Sequence, residues 1–198
     1  MLSNTDILPL NEYEKIRPLK KQEILELKKI RRLSVGPDIT FYFENTQTIW
    51  WQIQEMLRIE KGGQEQLGDE LCAYNPMIPI KREKGYEISA TMMIEIEDAD
   101  RRKVILNQLY AINQHVRFEF KNIVITASSI DSTEERNRES DQKTSSVHFL
   151  KWHIPADKVP DFLNEDVTLS ISHPHYSYKS LLPIFLKQSL KDDFELMN

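Results

Sequence analysis

From Tyr86 to Glu97 the side chains alternate without a break. Ile88, Ala90, Met92, Ile94 and Ile96 fall on one side, and Glu87, Ser89, Thr91, Met93, Glu95 and Glu97 on the other. A period of two with one apolar face predicts a strand of an antiparallel sheet that is packed on one side only. The same period marks Thr40–Glu44, where Ile39, Phe41 and Phe43 oppose Thr40, Tyr42 and Glu44, and Ser146–Ile154, where His148, Leu150, Trp152 and Ile154 oppose Val147, Phe149, Lys151 and His153. Val116–Phe120 and Ile123–Ala127 change phase across Lys121-Asn122, as a hairpin or bulge requires, and Val167–Ser172 is a last strand running into His173-Pro174-His175-Tyr176.

Helical spacing takes over elsewhere. Asn45 or Thr46 caps a helix from about Thr48 to Lys61, with Ile49, Trp50, Ile53, Met56 and Leu57 as its apolar stripe and Gly62-Gly63 as its stop. Trp51, Glu55 and Arg58 lie on the opposite face. A tryptophan beside an i,i+3 carboxylate–guanidinium pair suggests that this second face is covered too. Two readings stay open: a solvated ion pair with Trp51 over neighbouring surface, or a polar pocket or subunit contact. Leu67, Leu71 and Tyr74 mark a second short helix that Asn75-Pro76 ends. Before the first strand, Leu10–Arg17 reads as one short helix and Pro18 as the start of another, with Ile24, Leu27 and Ile30 facing the core and Lys28, Lys29, Arg31 and Arg32 clustered at its end. Asp98 caps a helix from Ala99 to about Asn113, Asp157–Leu163 forms a helical turn broken by Pro160, and a last helix follows from about Leu182 with Leu182, Phe185, Leu186 and Leu190 inward. The sum is an α+β protein: one globular domain over residues 1–198, with a mainly antiparallel sheet of about five or six strands and helices packed mostly on one face.

Composition changes this picture little. The 198 residues suffice for one substantial core, and 40% apolar residues with mixed charges describe a soluble protein. Neither a membrane span nor a signal-type N-terminus is evident, which places the protein in the cytoplasm. A net charge of −5 argues against nucleic-acid binding, although the segment 1–35 is basic while the remainder is acidic. Residues 128–145 carry almost no apolar side chain and read as a mobile polar loop, either a lid or an insertion. The one cysteine, Cys72, excludes an internal disulfide or a cluster bound by this chain alone, and beside Leu71 it reads as a small buried hydrophobe.

Phosphate-cradling glycine loops, nucleophile elbows and H-E-x-x-H helices are absent from the sequence. The chemistry left is imidazole and carboxylate. His173 and His175, two apart in an extended segment, project to one side and suit a shared metal ion, with His148 as a third ligand. Glu55, Glu70 and Glu95 are the candidate carboxylates, and iron, manganese or zinc is the ion such a set would hold. The plainer alternative makes His173-Pro174-His175 a strand end and His148 a hydrogen-bonded core histidine. In the metalloenzyme reading Glu55 or Glu95 is the general base and Arg58 orients an anionic substrate. In a third reading a homodimer holds a small anion through Arg58 and the basic helix.

Four blocks carry a resemblance: ENTQTIWWQIQEMLRIEKGGQEQLGDELCAYNPMIP (Glu44–Pro79), ATMMIEIED (Ala90–Asp98), KTSSVHFLKW (Lys143–Trp152) and SHPHY (Ser172–Tyr176). Over nearly the whole chain the sequence resembles a bacterial family of unknown function, number 3501. The genes of that family lie beside those for rubrerythrin-like proteins and iron–sulfur subunits. The resemblance therefore implies an accessory role in redox or peroxide metabolism, with an iron–sulfur or rubrerythrin-like protein as partner and Trp51, Glu55 and Arg58 as the contact face.

Overall fold

In a computed structural model, residues 1–130 and 143–197 are described. The elements in chain order are α1 (Leu10–Ile30), β1 (Arg32–Ser34), β2 (Ile39–Glu44), α2 (Thr46–Glu60), α3 (Gly63–Tyr74), β3 (Lys81–Arg82), β4 (Gly85–Ile94), α4 (Ala99–Gln108), β5 (Val116–Phe120), β6 (Ile123–Thr126), β7 (Ser128–Ser129), β8 (Val147–Pro155), α5 (Val159–Asn164), β9 (Thr168–His173), β10 (Tyr176–Leu181) and α6 (Ile184–Leu196). The fold is α+β, and its strands form two antiparallel sheets rather than one. The larger has the order β1-β2-β4-β8-β7 with β3 added beside β4, and the smaller the order β10-β9-β5-β6.

The alternation seen in the sequence becomes two working faces of the larger sheet. Cross-strand pairs Phe41↔Met92, Ala90↔Leu150 and Ile88↔Trp152 place the apolar set on one side, where all six side chains are buried. That side meets the smaller sheet. Phe118 of β5 lies 4.8 Å from Trp152 and 6.3 Å from Phe43, ring centre to ring centre. Helices α4, α5 and α6 close the same core with Leu106, Phe162, Leu186, Leu190 and Phe194. The other side of the larger sheet is covered by α2 and α3 through a second cluster that includes Ile49, Ile53, Leu71, Met77 and Phe149. Where β4 meets β8, Gly85 is required: its φ is +158°, and a Cβ there would strike the carbonyl oxygen of Ile154.

Several expectations change. Residues 10–30 are one helix, not two. Pro18 lies within it on the exposed side, while Tyr13 and Ile24, on either side of the proline in sequence, are buried. Helix α4 stops at Gln108, short of Asn113, because Ala111 takes a left-handed backbone (φ 59°) and starts a separate turn. The final strand β10 escaped the pattern because Tyr176–Leu181 is mostly exposed and therefore carries no apolar period. Cys72 is exposed, and so is Phe185; their neighbours Leu71 and Leu186 take the inward positions. Of the polar stretch 128–145, Ser128–Ser129 pairs with β8 and Thr144 and Ser145 are buried, while residues 131–142 lie outside the described residues. Among the described residues, no helix is long and apolar enough to cross a membrane.

Candidate functional site

The junction of β2 and α2 sets the chemistry. Asn45 caps α2, its side-chain oxygen accepting the N–H groups of Gln47 and Thr48 at 3.1 Å each. The cap turns Thr48 back toward the last residue of the strand, and its hydroxyl donates to Glu44 Oε2 at 2.5 Å. The other carboxylate oxygen accepts from Thr91 of β4 at 2.7 Å. Glu44 and Thr91 are diagonal neighbours on adjacent strands, since Glu44 pairs with Ser89 and Tyr42 with Thr91. Glu44 is only 8% exposed.

This carboxylate stands in the wall of a cavity of about 410 Å³ between the larger sheet and the helices. Rows of the sheet form the floor: Tyr42, Thr91 and Phe149 in one, Met93 and Val147 in the next. Ile49 and Gln52 of α2, Tyr74, Met77 and Lys28 complete the lining. A mostly apolar cavity with a few convergent polar groups is the general form of a small-molecule site.

One buried arginine fixes this junction. Arg31 is 1% exposed and donates to the carbonyls of Phe43 (2.9 Å) and Glu44 (3.0 Å) and to Ser189 Oγ (2.7 Å), and it forms an ion pair with Asp193 of α6 at 2.6 Å. Asp193 also accepts from the Asn45 side chain at 3.1 Å. Burial pushes the Asp193 carboxyl above its ordinary range, with Arg31 pulling against it. In the sequence Arg31 belongs to a basic run; in the fold it is withdrawn from that surface entirely.

The face bearing Trp51, Glu55 and Arg58 is covered, as its composition suggested, and what covers it is the chain's own α1. Tyr13 packs edge-on against Trp50 and Trp51, each 5.9 Å away, and donates to Glu55 at 2.7 Å. Arg17 grips both Glu55 oxygens at 2.8 and 2.9 Å, and Arg58 pairs with Glu14 at 2.9 Å. Glu55 and Arg58 thus each pair with α1 and not with one another. The Arg17 hydrogen bonds hold the Glu55 carboxyl below the usual value of about 4.3. Because the folded value is depressed, the stability contributed is complete above that value and is lost as pH falls through the folded one. We expect Glu55→Gln to cost about 1–2 kcal/mol at pH 7 and progressively less as the pH is lowered below the ordinary carboxylate range, read from urea midpoints. A pH-independent difference would mean that packing, not charge, joins α1 to α2.

The remaining candidates are dispersed. Glu95 is exposed and accepts at 3.1 Å from the Oη of Tyr42, which lines the cavity; Glu95 itself does not. Glu70 sits beside Gln66 at 3.3 Å, and burial raises its carboxyl. His148 is buried in β8 with Nε2 at 2.9 Å from both Thr144 Oγ1 and the Ser145 carbonyl. His173 and His175 lie together on the smaller sheet, their rings 5.9 Å apart. His173 Nδ1 accepts the His175 backbone N–H (3.2 Å), its Nε2 reaches the Tyr110 carbonyl (3.1 Å), and burial lowers its tendency to take a second proton. The third imidazole at this place is His115, 5.0 Å from His173, and not His148. The signal for His115 was the register, which pairs Val116 with Ile171 and so sets the preceding residue beside the end of β9. Among the described residues no three His, Cys, Asp or Glu side chains are grouped to hold a metal ion.

No curated protein matches the chain. A crystal structure of a protein of unknown function from Burkholderia pseudomallei K96243 superposes with a TM-score of 0.85 at 28% identity, covering 97% of this chain and 98% of that one. The family model for proteins of unknown function DUF3501 matches residues 1–194, and this chain belongs to that family.

Proposed function

We propose that the protein is a small-molecule-binding accessory protein whose ligand occupies the cavity walled by Glu44. One observation carries this: a carboxylate 8% exposed, positioned by two hydroxyl donors on different elements, faces an otherwise largely apolar space of about 410 Å³. Such a group costs stability unless something uses it. The iron–sulfur or rubrerythrin-type partner that the family resemblance implies supplies the setting. The face bearing Trp51, Glu55 and Arg58 is occupied by α1, so the contact passes to surface such as the exposed Leu181, Ile184 and Phe185.

Calorimetric titration of benzylamine, benzyl alcohol and benzoate tests the site. At least one should bind the wild type, and a bound probe at a hundredfold its Kd should add about 2.7 kcal/mol and raise the Tm by several degrees. Val147→Trp, which fills the cavity, should abolish that binding while the protein stays folded. Binding of no probe, or equal binding to the filled variant, removes the proposal. In the same samples, anaerobic co-purification with a purified rubrerythrin tests the partner assignment separately.

A further inference from the structure

The cavity has a charge preference that its apolar lining conceals. Glu44 accepts one hydroxyl hydrogen bond on each oxygen, which leaves further lone pairs on both. Among the described residues no lysine, arginine or histidine nitrogen comes within 4.0 Å of its carboxylate. The guanidinium of Arg31, which reaches the Glu44 backbone carbonyl, is spent on backbone carbonyls, Ser189 and Asp193. Lys28 lines the same cavity without reaching the carboxylate. The other polar lining residues, Gln52 and the two threonines, are neutral, and three aromatic rings (Tyr42, Tyr74 and Phe149) border the space. A desolvated carboxylate with hydroxyl donors but no cation is completed by a cation, and aromatic faces add attraction for one.

We infer that the ligand is a small organic cation, an amine with an apolar or aromatic body, whose ammonium meets Glu44 while the body lies against Ile49, Met77, Met93 and Phe149. This inference rests on the cavity being a ligand site, as proposed above. Lys28 acts as the competing positive charge at the wall.

The test is the ratio of affinities for benzylammonium and its neutral isostere benzyl alcohol, in wild type, Glu44→Gln and Lys28→Met. The wild type should favour benzylammonium by about tenfold or more. Glu44→Gln should erase that preference, the affinity for benzylammonium falling far more than that for benzyl alcohol, and Lys28→Met should enlarge the preference by removing a like charge. If Glu44→Gln fails to fold, Lys28→Met decides alone, because it touches none of the hydrogen bonds at the β2–α2 junction. Equal or tighter binding of benzyl alcohol or benzoate to the wild type overturns the cation inference and leaves the cavity as a site. Failure of all three probes overturns the cavity reading, and the cation inference falls with it.

Discussion

Arg31→Ala should lower stability by about 3–5 kcal/mol, the usual effect of leaving one half of a buried ion pair without its partner. The side chain joins four places at once: the Phe43 and Glu44 carbonyls, Ser189, and Asp193. Removing it strands the Asp193 carboxylate at 8% exposure beside a cap that it also supports. Asp193→Ala should cost a similar amount, whereas the paired change Arg31→Met/Asp193→Leu should recover much of the loss, since an apolar pair of similar volume needs no solvation. Urea denaturation with unchanged m-values checks both. If Arg31→Ala shifts stability by less than about 1 kcal/mol, the ion pair is not what anchors α6 to the β2–α2 junction. The same variant should weaken ligand binding even though Arg31 does not line the cavity, because it holds the backbone of Glu44.

The second large effect belongs to Trp152. It is the largest fully buried side chain and touches Phe41, Phe43 and Phe118 where the two sheets meet. Trp152→Ala should cost about 3–5 kcal/mol through lost burial and the cavity left behind. Against a total of about 5–15 kcal/mol, that brings the protein near the edge of folding at physiological temperature. Trp152→Phe should be much milder, about 2 kcal/mol or less. It keeps an aromatic ring between the sheets and deletes an indole N–H that has no hydrogen-bond partner among the described residues. Thermal unfolding of the three proteins separates the cases. A phenylalanine variant as unstable as the alanine one would show that the indole nitrogen is engaged after all.

Strands β2, β4, β5, β6, β8 and β9 were legible from sequence, whereas β1, β3, β7 and β10 were not, nor was the sheet that each strand joins. Alternation such as Ile88, Ala90, Met92 and Ile94 states which side chains turn inward, and it is silent about the neighbour across the hydrogen bonds. Hence two sheets look like one until Phe118 and Trp152 are seen facing each other. The covering of Trp51 was readable because an aromatic on a polar face is expensive to expose, while the identity of the cover depended on α1 staying one helix through Pro18. Glu44 was invisible as a site for the opposite reason. It sits in the polar phase of its strand, where a carboxylate normally meets water, and only the helices above make that side interior. Arg31 was hidden by its neighbours in a basic run, because pairing with a residue 162 positions away leaves no local trace.

That last separation bears on how the protein is made. Synthesis runs from α1 toward α6, so the β2–α2 junction emerges long before the helix that carries Ser189 and Asp193. Until that helix has left the ribosome, the Arg31 guanidinium has neither its counter-ion nor its serine, and the hold of Arg31 on the strand end bearing Glu44 lacks its anchor in α6. Local elements such as the β5–β6 hairpin need no such wait. The β2–α2 junction is therefore completed only once α6 is available, later than elements whose partners are neighbours in sequence.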